Sequence, residues 1–334
     1  MQLQQNISLK PYNTFGIDVH AEYFTELKDI FDLAEITALP HKKHILGGGS
    51  NILLTHPVNG LVIHNKLKGI TIEKEDDNYV WLNVQAGEVW HDVVLYAINQ
   101  GLGGIENLAL IPGTVGASPM QNIGAYGVEI KENIESVTFW YWKENIFLTY
   151  SNRDCAFGYR DSIFKHQLKE KIFITSVVYK LSKKPQYNIS YGAVAQELES
   201  MGVQDLSVKA IAYAVMNIRT SKLPDPKKIG NAGSFFKNPT ITKKFFNELR
   251  ARYDSIPSYP VSDDMIKIPA AWLIERSGWK GYKKGDVGVH TKQALVLVNY
   301  GNAKGTEIWK LSSDIVKSVK EQFKIELERE VQVW

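Results

Sequence analysis

The chain has 334 residues, 44% of them hydrophobic and 22% charged, which excludes a disordered or fibrous protein and allows two domains, each with its own core. A net charge of +3 is too small to argue for nucleic acid, although it suits an anionic small molecule. The single cysteine, Cys155, excludes an internal disulfide and a thiolate metal cluster, residues 1–10 are polar, and no apolar run approaches a membrane span. Together these predict a cytoplasmic protein in which Cys155 is a small packed side chain.

Residues 11–17 mix turn formers with apolar side chains and open the fold without a helix. A helix is predicted over 30–39. His44, Ile45 and Leu46 then feed into Gly47, Gly48, Gly49, Ser50 and Asn51, with Ile52, Leu53 and Leu54 behind them. Consecutive glycines expose backbone N–H groups to an anion, so this loop is either a phosphate cradle or an ordinary tight turn. It is neither GxGxxG nor GK[ST].

Strands are predicted at 60–64 and 79–84, separated by the acidic turn 73–78. Trp90, Val93, Val94, Ala97 and Ile98 share one face of a helix ended by Gly101 and read as core. Glycines and prolines interrupt residues 103–127 too often for a long helix or strand. Ser118, Gln121 and Asn122 alternate there with small residues, a lining suited to a large flat ligand with polar edges, and a loop of this length inside a domain is usually functional.

Residues 134–142 and 146–150 predict a hairpin, and Arg160 follows between Tyr159 and Asp161, as either a structural ion-pair partner or a catalytic group. A strand at 172–181 precedes a loop at 187–192 that carries Tyr187 and Tyr191. Val208, Ile211, Ala212 and Val215 share a helix face leading to Pro224 and Pro226, so the domain boundary is placed between 181 and 207. Then come a basic helix at 242–253, a short helix at 270–276, a strand at 293–299, a helix bearing Ile308, Leu311, Ile315, Val319 and Phe323, and a last strand at 325–334. Glu326, Glu328 and Glu330 would point to one side of that strand, the first two into solvent.

The densest stretch is 230–239, Gly-Asn-Ala-Gly-Ser-Phe-Phe-Lys-Asn-Pro. Its glycines let backbone approach a ligand, so Ser234 is either presented to one or caps a turn over a core Phe235 and Phe236. The chain has no HExxH, no metal-spaced histidine cluster and no nucleophile elbow, so neither zinc nor hydrolytic chemistry is expected and no metal site is predicted.

Taken in order, these segments resemble the UDP-N-acetylenolpyruvoylglucosamine reductase family, type I branch, along nearly the whole chain. The likeness is carried by Asn13-Thr14-Phe15-Gly16, residues 47–51, residues 111–127, residues 158–162, Lys222-Leu223-Pro224-Asp225-Pro226 and residues 230–239. It implies an α+β fold of the vanillyl-alcohol-oxidase type. A two-subdomain PCMH-type FAD-binding region would span 1–184, completed by the C-terminal strand, and a separate α+β substrate-binding domain would span 205–330. It implies non-covalent FAD held by Gly47, Gly48, Gly49, Ser50, Asn51, Ile52, Pro112, Gly113, Ser118, Gln121, Asn122, Gly124, Ala125, Tyr126 and Gly127. NADPH would be the hydride donor, and the protein a monomer with neither nucleic acid nor membrane as partner.

The implied reaction reduces UDP-N-acetylglucosamine enolpyruvate to UDP-N-acetylmuramate for peptidoglycan precursors, with hydride passing from flavin N5 to C3 and negative charge building at C2. Arg160 matches the family's arginine at the substrate carboxylate, where a planar guanidinium donates paired hydrogen bonds. Glu330 matches its catalytic glutamate, favoured in the protonated form beside that carboxylate, and Ser234 the residue that protonates C2. Tyr191, Lys222, Asn238, Gln293 and Lys280 match contacts to the diphosphate and uridine. Two departures stand out. Arg329 occupies a position where the family often has proline, which predicts a less constrained backbone before Glu330, and the last strand is short, ending at Trp334. A flavin oxidase or a non-catalytic nucleotide-sugar binder on the same cofactor fold would have no use for Arg160, Ser234 and Glu330 together.

Overall fold

Rich in β-branched residues and apolar on both faces, Ile172–Ser182 is buried nearly end to end. In the computed structural model, which describes residues 1–334, it is the middle strand of a five-stranded antiparallel sheet ordered Ile146–Ser151, Ile134–Tyr141, Ile172–Ser182, Tyr79–Gln85 and Ile70–Glu75. The predicted hairpin is present, with Tyr141 opposite Ile146. Trp90, Val93 and Ala97 of the helix Trp90–Asn99 and Ile211 and Val215 of the helix Val208–Lys222 share a core with Val177 and Tyr179 of this sheet. Each valine or isoleucine among them contributes roughly 1.5–3 kcal/mol on burial.

A second sheet runs Gln4–Ser8, His20–Leu27, Val58–Asn65, Lys43–Leu46, with Val58–Asn65 parallel to both neighbours. The helix Asp32–Ala38 buries Leu33 and Ile36 in one cluster with Leu61 and Ile63. These elements belong to a first unit made of Met1–Ile7, Ala21–Gly48 and Val58–Ser221. Cys155 lies buried within it, where desolvation pushes the thiol up to about 12.

The second unit comprises Ser8–His20, Gly49–Pro57 and Lys222–Trp334. Its four-stranded antiparallel sheet is ordered Gly230–Ser234, Val296–Asn299, Val287–Val289, Lys283–Lys284. The helix Gly305–Phe323 buries Ile308, Leu311, Ile315, Val319 and Phe323 along one stripe, and Lys324 closes it at φ 61°. The expected helix at 270–276 is Ala270–Arg276. The one expected at 242–253 is shorter, Lys243–Arg250, because Thr242 lies outside it and caps it, accepting from the Phe245 N–H at 3.3 Å. The strand at 293–299 contracts to Val296–Asn299, since the Val296 N–H bends back to the Gln293 carbonyl at 3.1 Å.

Residues 325–334 do not form one continuous strand. The alternation holds, with Ile325, Leu327 and Val331 buried and Glu326 and Glu328 exposed, but the segment changes partner part-way. Residues 328–330 run beside 235–237, and only Gln332–Val333 is a strand, parallel to Ile52–Leu53. Both partners lie in the second unit, so the terminal strand completes that unit and not the first. The expected boundary at 181–207 falls inside the first unit, which continues through the helix Val208–Lys222 as far as Ser221 because that helix buries its apolar face in the first unit's core. The helix Gly192–Ser200 is unpredicted; only Val194 and Leu198 mark its buried face.

Candidate active site

In the first unit the two glycine-rich loops close on one another. A Cβ on Gly48 would lie 3.0 Å from the Gly113 Cα, and one on Gly47 would lie 2.5 Å from the Thr114 Oγ1, so only glycine permits this approach. The backbone N–H groups of Gly47, Gly48, Gly113 and Thr114 take no part in the hydrogen bonds that shape either loop. Facing donors of this kind hold an anion, and they fit the diphosphate of a dinucleotide cofactor. Gly49, Ser50, Asn51 and Ile52, the rest of the first loop, belong to the second unit, where Asn51 donates through its side chain to the Glu330 carbonyl at 3.3 Å.

The segment 103–127 is not structureless. It carries the short helical turns Glu106–Leu108 and Val115–Ala117 and a small hairpin of Gly124–Ala125 with Val128–Glu129. Asn122 is fully buried and its side chain is engaged inside the protein: it donates to the Glu129 carboxylate and the Gly158 carbonyl, each at 2.9 Å, and accepts from the Lys131 N–H at 3.0 Å. Ser118 meets the Tyr179 hydroxyl. Both therefore hold the loop's shape rather than lining it with side chains. Pro112 is exposed, while Gln121, Ala125 and Tyr126 are half-buried along the same run.

Arg160 sits at φ 53°, in a turn closed by paired bonds between Gly158 and Asp161 at 3.0 and 3.2 Å. Left-handed backbone at a long side chain is strained and persists where surrounding bonds enforce it. Here they do: the guanidinium donates to the Gly124 carbonyl at 2.6 Å, Asn122 grips Gly158, and the Ser162 hydroxyl donates to the Met120 carbonyl at 2.6 Å. Asp161 is paired with His166 at 2.8 Å.

Three residues of this region escaped the sequence reading. Buried Asn107 donates to the Tyr126 carbonyl at 3.0 Å and the Asn188 carbonyl at 2.9 Å, tying the glycine-rich loop at 103–127 to the segment that presents Tyr191. The Tyr191 ring stands perpendicular to Tyr126 with centroids 5.3 Å apart. Arg219 bonds the Tyr126 hydroxyl and feels the charge of Arg160; burial first of all lowers its pKa. His91 accepts from the Leu110 N–H at 3.1 Å, and desolvation lowers its pKa, favouring the neutral ring. Arg219 stands three residues before Lys222 on the helix Val208–Lys222, a spacing that could have singled it out.

In the second unit Gly233 adopts φ 69°, and the pairing register shifts between Asn231 and Ser234. That left-handed step shifts the register so that Ser234, opposite Val296, stays exposed while Phe235 and Phe236 are buried beside it. The Glu330 N–H donates to the Phe235 carbonyl at 2.9 Å, so the structure brings the Ser234 and Glu330 segments side by side. Asn238 is half-buried and accepts from the Ala270 N–H at 2.9 Å through its amide oxygen. Lys222 is exposed, Gln293 is half-buried, and Lys280 is paired with Glu275 at 2.9 Å. Lys237 pairs with Glu328, and Lys320 with Glu326 at 2.6 Å, so the two solvated glutamates are ion-paired. No helix is long and apolar enough to cross a membrane.

Two family models match the chain: an FAD binding domain over residues 21–147, and the C-terminal domain of UDP-N-acetylenolpyruvoylglucosamine reductase over 225–334. The UDP-N-acetylenolpyruvoylglucosamine reductase of Flavobacterium johnsoniae is 49% identical over 336 residues, covering 100% of both chains. That of Amoebophilus asiaticus is 48% identical, covering 100% of this chain and 99% of its own. Among solved structures, UDP-N-acetylenolpyruvylglucosamine reductase from Thermus caldophilus shares the fold, with a TM-score of 0.70 at 24% identity over 100% of this chain and 99% of its own.

Proposed function

The chain belongs to the UDP-N-acetylenolpyruvoylglucosamine reductases, FAD-containing oxidoreductases, and from that premise we propose that Arg160, Ser234 and Glu330 carry its reaction. That reaction is the reduction of UDP-N-acetylglucosamine enolpyruvate to UDP-N-acetylmuramate, which supplies peptidoglycan precursors. FAD, when bound, would supply the hydride, with NADPH as its source.

Reduction at C3 of the vinyl ether leaves negative charge at C2 that spreads into the neighbouring carboxylate. Arg160, anchored on the Gly124 and Asn122 carbonyls, presents a fixed planar cation to that spreading charge. Glu330, in its protonated form, donates its carboxyl O–H to the same carboxylate, and Ser234 transfers its hydroxyl proton to C2. Tyr191, Lys222, Asn238, Gln293 and Lys280 bind the UDP portion, the cations opposite its diphosphate. The loops at 47–52 and 112–127 hold FAD, chiefly through backbone N–H groups.

The observation that carries this reading is the bond from the Glu330 N–H to the Phe235 carbonyl at 2.9 Å, which lays the backbone segments carrying Ser234 and Glu330 side by side. We further propose a cytoplasmic monomer that engages neither nucleic acid nor membrane, in keeping with a net charge of only +3. The test is an anaerobic absorption spectrum of the purified protein. Flavin bands that bleach with NADPH and return on adding the enolpyruvyl ether support the assignment; bleaching that only oxygen reverses makes the protein an oxidase.

A further inference from the structure

We propose that Arg329 is a positioning residue for Glu330, acting through a clamp on the helix Gly305–Phe323. The inference rests on the reading of Glu330 as a catalytic group. The backbone there is held by a short antiparallel run and one side chain: the Lys237 N–H donates to the Glu328 carbonyl and the Glu330 N–H to the Phe235 carbonyl, both at 2.9 Å, with Arg329 opposite Phe236, and Asn51 donates to the Glu330 carbonyl at 3.3 Å. These bonds lie to either side of Arg329, and beyond Glu330 the chain turns to a different partner, Ile52–Leu53.

The Arg329 side chain adds a further constraint, from the helix. Its Nε donates to the Ser312 Oγ and its Nη2 to the Ser313 Oγ, each at 2.8 Å, and its guanidinium carbon lies 3.9 Å from the centre of the Trp309 ring. The two hydroxyl protons are themselves committed to the Trp309 carbonyl, at 2.7 and 3.1 Å, so both oxygens turn their lone pairs to the arginine. Two hydroxyls and a ring face form a directional seat for a rigid planar fork, which a lysine could not reproduce. Adjacent side chains of an extended segment point to opposite sides. Fixing Arg329 against the helix therefore fixes Glu330 on the other face.

The ladder bonds flank Arg329 and do not use its N–H, so a proline there would stiffen the backbone without breaking them. This gives a rescue that a merely structural role does not predict. In the holoenzyme, Arg329→Ala should slow reoxidation of reduced flavin by the enolpyruvyl substrate roughly 10–100-fold, the scale of a displaced catalytic group. Flavin reduction by NADPH should stay within about twofold, and amide hydrogen exchange should rise in residues 328–332. Arg329→Pro should recover most of the reoxidation rate and Arg329→Lys little. If Arg329→Ala folds poorly, Ser312→Ala with Ser313→Ala removes the seat alone and should give the same split. Reoxidation at the native rate in these variants, equal slowing of both half-reactions, or no recovery with proline would overturn the proposal. Glu330→Gln is measured alongside: if it reoxidises normally the catalytic reading itself falls and the proposal with it, whereas a slow Glu330→Gln with a normal Arg329→Ala sinks the positioning role alone.

Discussion

Tyr179 places its hydroxyl 2.6 Å from the Ser118 Oγ, and neither residue has more than 1% of its surface exposed. One sits on the middle strand of the sheet, the other in the glycine-rich loop proposed to hold FAD, so the core holds that loop by a bond no water can replace. Burial drives the phenol above its usual range, so it stays protonated. Tyr179→Phe leaves the Ser118 hydroxyl without this partner and should cost about 1–3 kcal/mol. Calorimetry should show a lower Tm and flavin fluorescence a weaker hold on FAD; an unchanged Kd would mean the loop does not depend on this bond.

Gly48→Ala tests the facing loops. The new methyl would lie 3.0 Å from backbone at Gly113, which cannot rotate away as a side chain would. FAD affinity should fall about tenfold, equivalent to about 1.4 kcal/mol, measured by titrating the apoprotein. Native affinity in this variant would place the diphosphate elsewhere.

Ser234→Ala separates the two half-reactions. Loss of a positioned proton donor typically costs 10²–10⁴-fold, so reoxidation by the enolpyruvyl ether should slow by roughly that factor while reduction by NADPH continues. Stopped-flow absorbance resolves both. Equal rates in mutant and native enzyme would hand the C2 proton to another group.

His64 makes acid stability titratable. Desolvation first, and repulsion from Lys66 second, lower its pKa to about 4, against a weaker opposing pull from Glu26, whose carboxylate is 3.7 Å away. Above pH 6.5 both folded and unfolded chains hold a neutral ring, and the stability is fully present. As pH falls from 6.5 towards 4, the unfolded chain gains a proton that the folded one refuses, and stability drops, by on the order of 3 kcal/mol at the lower end. Urea unfolding at pH 7, 5.5 and 4.5 should show a shallower decline for His64→Gln than for the native chain; parallel declines would remove His64 from the account.

What the sequence disclosed was local. Residues 230–239 and 111–127 stand out by composition, and Ala270–Arg276 by spacing, because neither depends on a distant partner. What fixes the site is distant in the chain: Asn122 reaches Gly158, Asn107 reaches Asn188, and Glu330 reaches Phe235. Side-chain bonds to carbonyls leave no periodic trace. The alternation of residues 325–331 was readable, but the change of partner that breaks the strand was not. Arg329 is the sharpest case: the absence of proline predicts a looser backbone, whereas the side chain grips Ser312, Ser313 and Trp309.

Cys155 turns the chain into its own reporter. With the thiol buried and pushed up to about 12, the native protein presents almost no thiolate at neutral pH, and maleimides and disulfide reagents find nothing to attack. Unfolding of the surrounding first unit restores an ordinary thiol, and since the sequence holds one cysteine, each labelling event counts one opening. The rate at which a chromogenic disulfide is consumed thus clocks how often that part of the molecule breathes, with no mutation or dye attached beforehand.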